Sequence, residues 1–372
     1  MQYRPFGLTG HRVSRLGFGS MRLPWKDVGD KRVVDEDMSL QMIHAALDAG
    51  VNYVDSAFMY CEGQSEVVVG KALKGRRNEV LLSTKYPVSK DKGLREVLEI
   101  QLGKLDTDHV DFYHLHGIGA WFLTHEKRDE IVAAAVKAKE EGLVRHISFS
   151  FHDKPEEMAR IIDLGIFSSV LCQYNLLDRA NEDALANAHE RGLGTVVMGP
   201  VGGGRISGLP PDVARDAGIE VRSSAEMALR FVFASPNVDC ALSGMSTPEQ
   251  VAENVATASN AAPLGEGEVA AINAMMEENK RLADLYCTGC NYCTPHCKQE
   301  INIPHIFQAM NYYRVYGLKE YAQSQYDAIG GSWVKGRKAD WCQECGECEE
   351  HCPQKIEIRR QLKECLEVFG TQ

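Results

Sequence analysis

Two sets of residues in this chain have the types and spacing to do chemistry, and the first is made of cysteine. The run Cys287-x2-Cys290-x2-Cys293-x3-Cys297 is followed by Cys342-x2-Cys345-x2-Cys348-x3-Cys352-Pro353. Thiolates at this spacing ligate [4Fe–4S] clusters: three close cysteines wrap one cubane, and the fourth of each run generally ligates the other cluster. That rule assigns Cys287, Cys290, Cys293 and Cys352 to one cluster, and Cys342, Cys345, Cys348 and Cys297 to the second. Zinc is the competing metal. Its ribbons usually separate two C-x2-C pairs by about a dozen residues or more, whereas here four thiols are strung along one short run.

The second set is Asp55, Tyr60, Lys85 and His116, with His114 close by. A carbonyl that becomes an alkoxide needs a proton donor, and a tyrosine suits that task if its pKa of about 10 is drawn toward neutrality. A Lys85 ammonium favours phenolate and would do so; Asp55 would hold that ammonium charged. His116 can donate a hydrogen bond that orients the carbonyl oxygen.

Four residues so far apart need a scaffold that brings strand ends together. Short β-branched or apolar runs alternate with helical patterns: SRLGFG, VNYVDS, VLLSTK, HVDFYHLH, VRHISFS, SSVLCQY, GTVVMG and VDCALSG, each followed by a helix. Eight βα units in roughly 250 residues are enough to close a parallel sheet into a (β/α)8 TIM barrel. In such a barrel, polar residues at the C-terminal ends of strands line the mouth, which is where Asp55, Lys85, His114 and His116 fall. An open doubly wound sheet is the alternative, but LGFGSM leads into a charged loop and not straight into a helix. The segment YRPFGLTGHRVS reads as a hairpin ahead of the barrel, turning at Thr9-Gly10.

With VDSAFMY, STK, VDFYHLHG and SGMSTPEQVAEN in this order from about Tyr3 to Asn260, the chain resembles the aldo-keto reductases. The resemblance implies interconversion of an aldehyde or ketone with its alcohol, using NADP(H) or NAD(H). It implies a tetrad of Tyr60, Asp55, Lys85 and His116, and it leaves His114 as a packing or supporting residue. It also aligns cofactor contacts with Gly19, Ser20, Met21, Asp55 and Ser150, with Met198, Gly199, Val201, Gly203 and Arg205, and with Ser243, Gly244, Met245, Gln250, Glu253 and Asn254. The chain departs from the family pattern where the nicotinamide is gripped, with Phe151, Leu171 and Met198 replacing an asparagine, a glutamine and a stacking aromatic. Gln250 and Gly244 stand where the family carries an arginine and a lysine for a 2′-phosphate. The loop HGIGAWFLTHEKRD offers Trp121 and Phe122 as apolar walls for a substrate.

The cysteine-rich part resembles two-cluster ferredoxins, except that Lys298 and not proline follows Cys297. The intervening IPHIFQAMNYYRVYGLKEYAQSQYDAIG reads as helix, so this domain is expected to be mostly helical. The expected division is 1–262 for the barrel, 263–285 for a linking helix and 286–372 for the two-cluster domain, placed where the family covers its substrate mouth. Cys61, Cys172, Cys240 and Cys365 remain outside the clusters, and the first three read as small apolar residues.

Of the 372 residues, 52 are acidic and 41 basic, a formal charge of −11 that argues against nucleic-acid or anionic-membrane binding as the main task. The N-terminus lacks the apolar run of a signal peptide and no stretch reads as membrane-spanning, so the expected location is cytoplasmic. A nicotinamide exchanges two electrons at once and each cluster passes one. An external electron carrier is therefore a possible partner. The alternative to a carbonyl reductase is an iron–sulfur electron-transfer protein whose barrel is a docking platform or holds a different cofactor.

Overall fold

The computed structural model describes every residue except 30, 89–91, 177, 202–219, 261, 275–286, 288–292, 315–317, 332, 353–355 and 371–372. The chain divides into two compact units, one comprising Met1–Gly203 and Ala225–Gly265, the other Gly204–Ser224 and Glu266–Gln372.

The first unit opens with an antiparallel hairpin of β1 (Tyr3–Pro5) and β2 (Arg12–Ser14), as the Thr9-Gly10 turn predicts. Its connecting turn carries Phe6, which is fully buried with its ring centroid 4.9 Å from Phe112 and 5.8 Å from Tyr53. β3 (Leu16–Gly19) is the first barrel strand. The segment after it forms a second hairpin, β4 (Trp25–Val28) with β5 (Lys31–Val34), where the sequence reads as a charged loop. The remaining barrel strands are β6 (Tyr53–Asp55), β7 (Leu81–Tyr86), β8 (Val110–Ile118), β9 (Val144–Phe151), β10 (Ser169–Gln173), β11 (Gly194–Met198) and β12 (Cys240–Gly244). They pair in parallel in the closed order β10-β11-β12-β3-β6-β7-β8-β9.

Parallel strands in a closed barrel are covered on both faces, and β7 is buried at every position, its polar Ser83, Thr84 and Lys85 included. Strand alternation then decides the interior. Tyr53, Leu81, Phe112, Leu171, Val196, Cys240 and Leu242 join Phe6 and Val13 in one apolar cluster. Two residues further along the same faces come Asp55, Ser83, His114, Gln173 and Met198. The interior thus changes from hydrocarbon at the hairpin end to polar groups at the opposite rim, except at Met198, which packs against the apolar cluster.

Helices follow the strands: α1 (Glu36–Asp48), α2 (Ser65–Ala72), α3 (Leu94–Leu105), α4 (Arg128–Glu140), α5 (Met158–Ile162), α6 (Glu182–Glu190), α7 (Ser224–Ala234) and α8 (Pro248–Asn260). Asp35 caps α1 by accepting from the Met38 N–H at 3.3 Å.

The second unit is helical, with α9 (Ile303–Arg314), α10 (Lys319–Asp327), α11 (Glu347–Glu350) and α12 (Ile358–Phe369). The single helix expected between the cysteine runs is therefore two. α10 folds back on α9, with the Leu318 N–H donating to the Tyr312 carbonyl at 2.9 Å and the Tyr312 and Tyr321 rings meeting edge-on at 4.9 Å. α12 buries Ile358, Leu362, Cys365 and Phe369, one helical stripe, against Ile306, Phe307 and Met310 of α9. Residues 266–274 of the expected linking helix are helical, and its remainder lies outside the described residues. Among the described residues, no helix is long and apolar enough to cross a membrane.

Candidate active site

Asp55 closes β6, Lys85 comes from β7 and His116 from β8, so three adjacent strands deliver them to one rim. The Lys85 ammonium donates to Asp55 Oδ2 at 2.5 Å and to the Ser56 carbonyl at 2.7 Å, with both charged side chains almost fully buried. Ser83 donates to the other Asp55 oxygen. Burial by itself would lower the Lys85 pKa, but Asp55 and then Tyr60 outweigh it and the net direction is upward. The ammonium lies 4.6 Å from the centre of the Tyr60 ring.

Tyr60 begins a tight turn in which Cys61, Glu62 and Gly63 all take left-handed conformations, with φ of 51°, 56° and 82°. Such φ values cost a residue with a side chain roughly 1–2 kcal/mol each. The turn is held to the loop after β3 through the Cys61 thiol, 3.5 Å from the Ser20 carbonyl and 3.6 Å from that of Met21. Cys61 is thus an anchor for the turn, a role its reading as a small apolar residue misses. The Tyr60 hydroxyl also departs from expectation: burial raises its pKa by more than Lys85 lowers it, so the net shift is away from neutrality. Tyr60 is held as a protonated phenol.

His116 meets Tyr60 edge-on, ring centroids 6.2 Å apart. The β8–β9 register breaks between Leu115 and Ile118, a bulge of the sort that re-aims side chains beside active sites. Gly117 in the bulge has φ 65°, and its N–H donates to Ser150 Oγ at 2.7 Å. Burial, then Lys85, then His152 lower the His116 pKa to about 3, so its imidazole is neutral. His152, which the sequence reading passes over, lies beside Gly117 and is itself lowered by burial and Lys85. His114 is fully buried below the rim, its Nε2 3.4 Å from the Tyr53 hydroxyl.

The residues aligned with cofactor contacts fall into three groups. Several are engaged within the protein: the Ser20 hydroxyl donates to the Asp55 carbonyl at 2.8 Å, Asn254 donates to Ser243 Oγ at 3.1 Å, and Gln250 accepts from the Ser246 N–H at 2.8 Å. Met245 is fully buried. Others lie at strand ends or in the segments that follow: Gly19 ends β3, Met21 is exposed, Met198 and Val201 are half-buried, Gly244 ends β12 beneath the Arg22 stem, and Glu253 lies on α8. Gly203 and Arg205 lie outside the described residues. At the departures from the family pattern, Phe151 and Leu171 are buried. Of the two proposed substrate walls, Phe122 is fully buried and Trp121 about half exposed.

In the second unit, Cys297, Cys342, Cys345 and Cys348 line one cavity together with Lys298, Ile301, Leu362 and Arg359. Three come from the second cysteine run and one from the first, the set that the spacing rule places on a single cubane. Burial, Glu349 and the nearby Cys293, Cys297 and Cys342 push the Cys348 thiol up to about 12. Iron takes thiolate and displaces that proton, so the donor set fits a cluster. Cys293 and Cys352 are buried in the neighbouring core, with Cys287 packed against it; Cys290 lies outside the described residues. The rings of His296 and His351, each preceding the last cysteine of its run, stack at 3.4 Å.

A closed parallel barrel with a buried lysine–carboxylate pair, a tyrosine and a neutral histidine at its C-terminal rim has the form of a barrel oxidoreductase. The aldo/keto reductase family model matches residues 15–211 and the 4Fe-4S dicluster domain model matches 286–357. The chain belongs to the aldo/keto reductase family, is an oxidoreductase, and carries a 4Fe-4S dicluster domain. Among relatives, the uncharacterized oxidoreductase YqkF of Bacillus subtilis is 27% identical over 75% of this chain and 98% of its own. An aldo-keto reductase from Bacillus halodurans, in its holo form, is 30% identical with a TM-score of 0.63, covering 74% of this chain and 96% of that one. An aldo/keto reductase from Klebsiella pneumoniae in complex with NADP and acetate is 27% identical with a TM-score of 0.62, covering 73% and 94%.

Proposed function

We propose that the barrel interconverts an aldehyde or ketone with its alcohol, using NADP(H) or NAD(H), with Tyr60 as proton donor and acceptor. The observation that carries this reading is the Asp55–Lys85–Tyr60 arrangement, a buried ammonium fixed by a carboxylate beneath a tyrosine ring. A bound dinucleotide would supply or accept the hydride. For the protein's own part, neutral His116 donates to the carbonyl oxygen and orients it, and Tyr60 delivers its proton as charge develops there. Lys85 stabilises the phenolate left behind, in line with its lowering contribution at Tyr60. Ser150, Gly199 and the loop after β12 are the candidate cofactor contacts.

The C-terminal unit is read as holding two [4Fe–4S] clusters, on Cys287, Cys290, Cys293 and Cys352 and on Cys342, Cys345, Cys348 and Cys297. The clusters supply one-electron transfer, which suits an external carrier better than a two-electron site. The proposed division remains barrel 1–262, linker 263–285 and cluster domain 286–372.

The test is NADPH or NADH consumption with a panel of carbonyls, using protein reconstituted under argon. Tyr60→Phe is expected to lower turnover by at least about 10³-fold while the dinucleotide Kd stays within about twofold; retained turnover would remove the assignment. A second reading, an electron-transfer protein with the barrel as platform, is favoured by apolar Phe151 and Leu171 at two family grip positions. Cluster reduction by a partner with no carbonyl turnover would support it.

A further inference from the structure

The barrel mouth holds an amide that the tetrad does not use. Gln173 ends β10, on the inward-facing series that begins with buried Leu171 and about 6.6 Å further toward the rim. Its backbone is well occupied: the residue pairs in register with Met198, and its carbonyl accepts from Asn181 Nδ2 at 2.9 Å. Its half-buried side-chain amide makes no hydrogen bond among the described residues. A primary amide carries two donors and an acceptor, and leaving them unmet where water is partly excluded is unfavourable.

The turn after β11 brings its backbone close to this amide. Gly199 has φ 62°, and a Cβ there would lie 2.8 Å from both Nε2 and Oε1 of Gln173. The positive φ favours glycine here, and with no side chain at Gly199 the amide keeps this position. On the neighbouring strand, Ser150 pairs in register with Leu171 and uses one lone pair to accept from the Gly117 N–H. Its own O–H remains able to donate. One rim therefore presents a hydroxyl donor and an amide acceptor on adjacent strands, a complement for a carboxamide.

We propose that Gln173 is a positioning residue that accepts from the carboxamide NH2 of the nicotinamide while Ser150 donates to the carboxamide oxygen. Gln173 thus supplies from two residues along β10 the contact that Leu171 cannot make. This inference rests on the dinucleotide reading above.

The experiment is a fluorescence titration of the cluster-loaded full chain with whichever of NADP+ and NAD+ the wild type binds more tightly, and with its 3-acetylpyridine analogue. The analogue keeps the carbonyl oxygen but has a methyl group in place of NH2. Gln173→Met should weaken the carboxamide nucleotide by about tenfold and the analogue by less than about twofold. Gln173→Glu keeps an acceptor and should stay within about threefold of wild type for both. It also provides a near-isosteric check should the methionine variant fold poorly. Equal losses for the two nucleotides, or no loss in either variant, would overturn the role of Gln173 and leave dinucleotide binding standing. A wild type that binds neither nucleotide would remove the dinucleotide reading, and the inference with it.

Discussion

At the barrel rim, the buried Lys85 ammonium is met by Asp55 at 2.5 Å and the Ser56 carbonyl at 2.7 Å, and Asp55 is met again by Ser83. In the C-terminal unit, Cys348 is surrounded by burial, Glu349 and three further thiols, every one of which opposes thiolate. The first site balances its charges with its own side chains. The second lacks that balance until metal replaces protons. This difference separates a site whose charges the fold itself balances from one whose thiols give up their protons only to a metal.

Breaking the balance at the rim should have the largest effect. Lys85→Met leaves the buried Asp55 carboxyl without its ammonium partner, which costs about 3–5 kcal/mol of stability, and it lowers turnover by about 10²–10⁴-fold. The double variant Lys85→Met/Asp55→Asn should regain most of the melting temperature and none of the turnover. Recovery of both would mean that the pair serves packing alone.

The cysteine cavity gives the next effect. If the unit holds the two proposed clusters, Cys348→Ser should remove about half of the bound iron, the content of one cubane. Carbonyl turnover should stay within about twofold, because the proposed hydride transfer has no one-electron step for the clusters to feed. Iron unchanged by this substitution would contradict the ligand set, and lost turnover would contradict the independence of the two chemistries.

The smallest effect is in pH dependence. Tyr60 is shifted upward, so carbonyl reduction should be flat through neutrality and fall only in alkali, where the phenol ionises. His116, lowered to about 3, should add no break above pH 4. For stability, His114 and His116 bind protons in the unfolded chain near pH 6.5 but in the folded chain only near 3. The unfolded state takes up protons first, so stability is complete above about 6.5 and declines as pH falls toward 3. Rate profiles and melts across pH 3–10 check both, and a break in reduction near pH 6 would contradict a neutral His116.

Much of this was legible in one dimension. A cubane takes ligands from neighbouring turns of chain, so C-x2-C-x2-C is its own announcement, and Cys297, Cys342, Cys345 and Cys348 share a cavity accordingly. Eight strand–helix alternations imply a closed sheet because parallel strands require crossovers. The order of Asp55, Tyr60, Lys85 and His116 follows from strand ends. The β4–β5 hairpin was hidden because its strands are short and largely solvent-exposed, leaving no buried stripe to read.

The sequence by itself determined the ligand spacing, the strand count and which residue types reach the rim, since those depend on periodicity and near neighbours. Tertiary structure alone decided what each group can do. Whether Tyr60 moves toward or away from neutrality depends on how deeply the barrel buries it against how close Lys85 comes. Whether Ser20 and Asn254 have side chains to spare depends on Asp55 and Ser243, distant or on another element. Gln173 stands out only once its amide is seen beside Gly199 with no hydrogen-bond partner among the described residues. Burial and hydrogen-bond partners are set by chain segments that meet only in the folded protein, and the chemistry of a side chain is set by them.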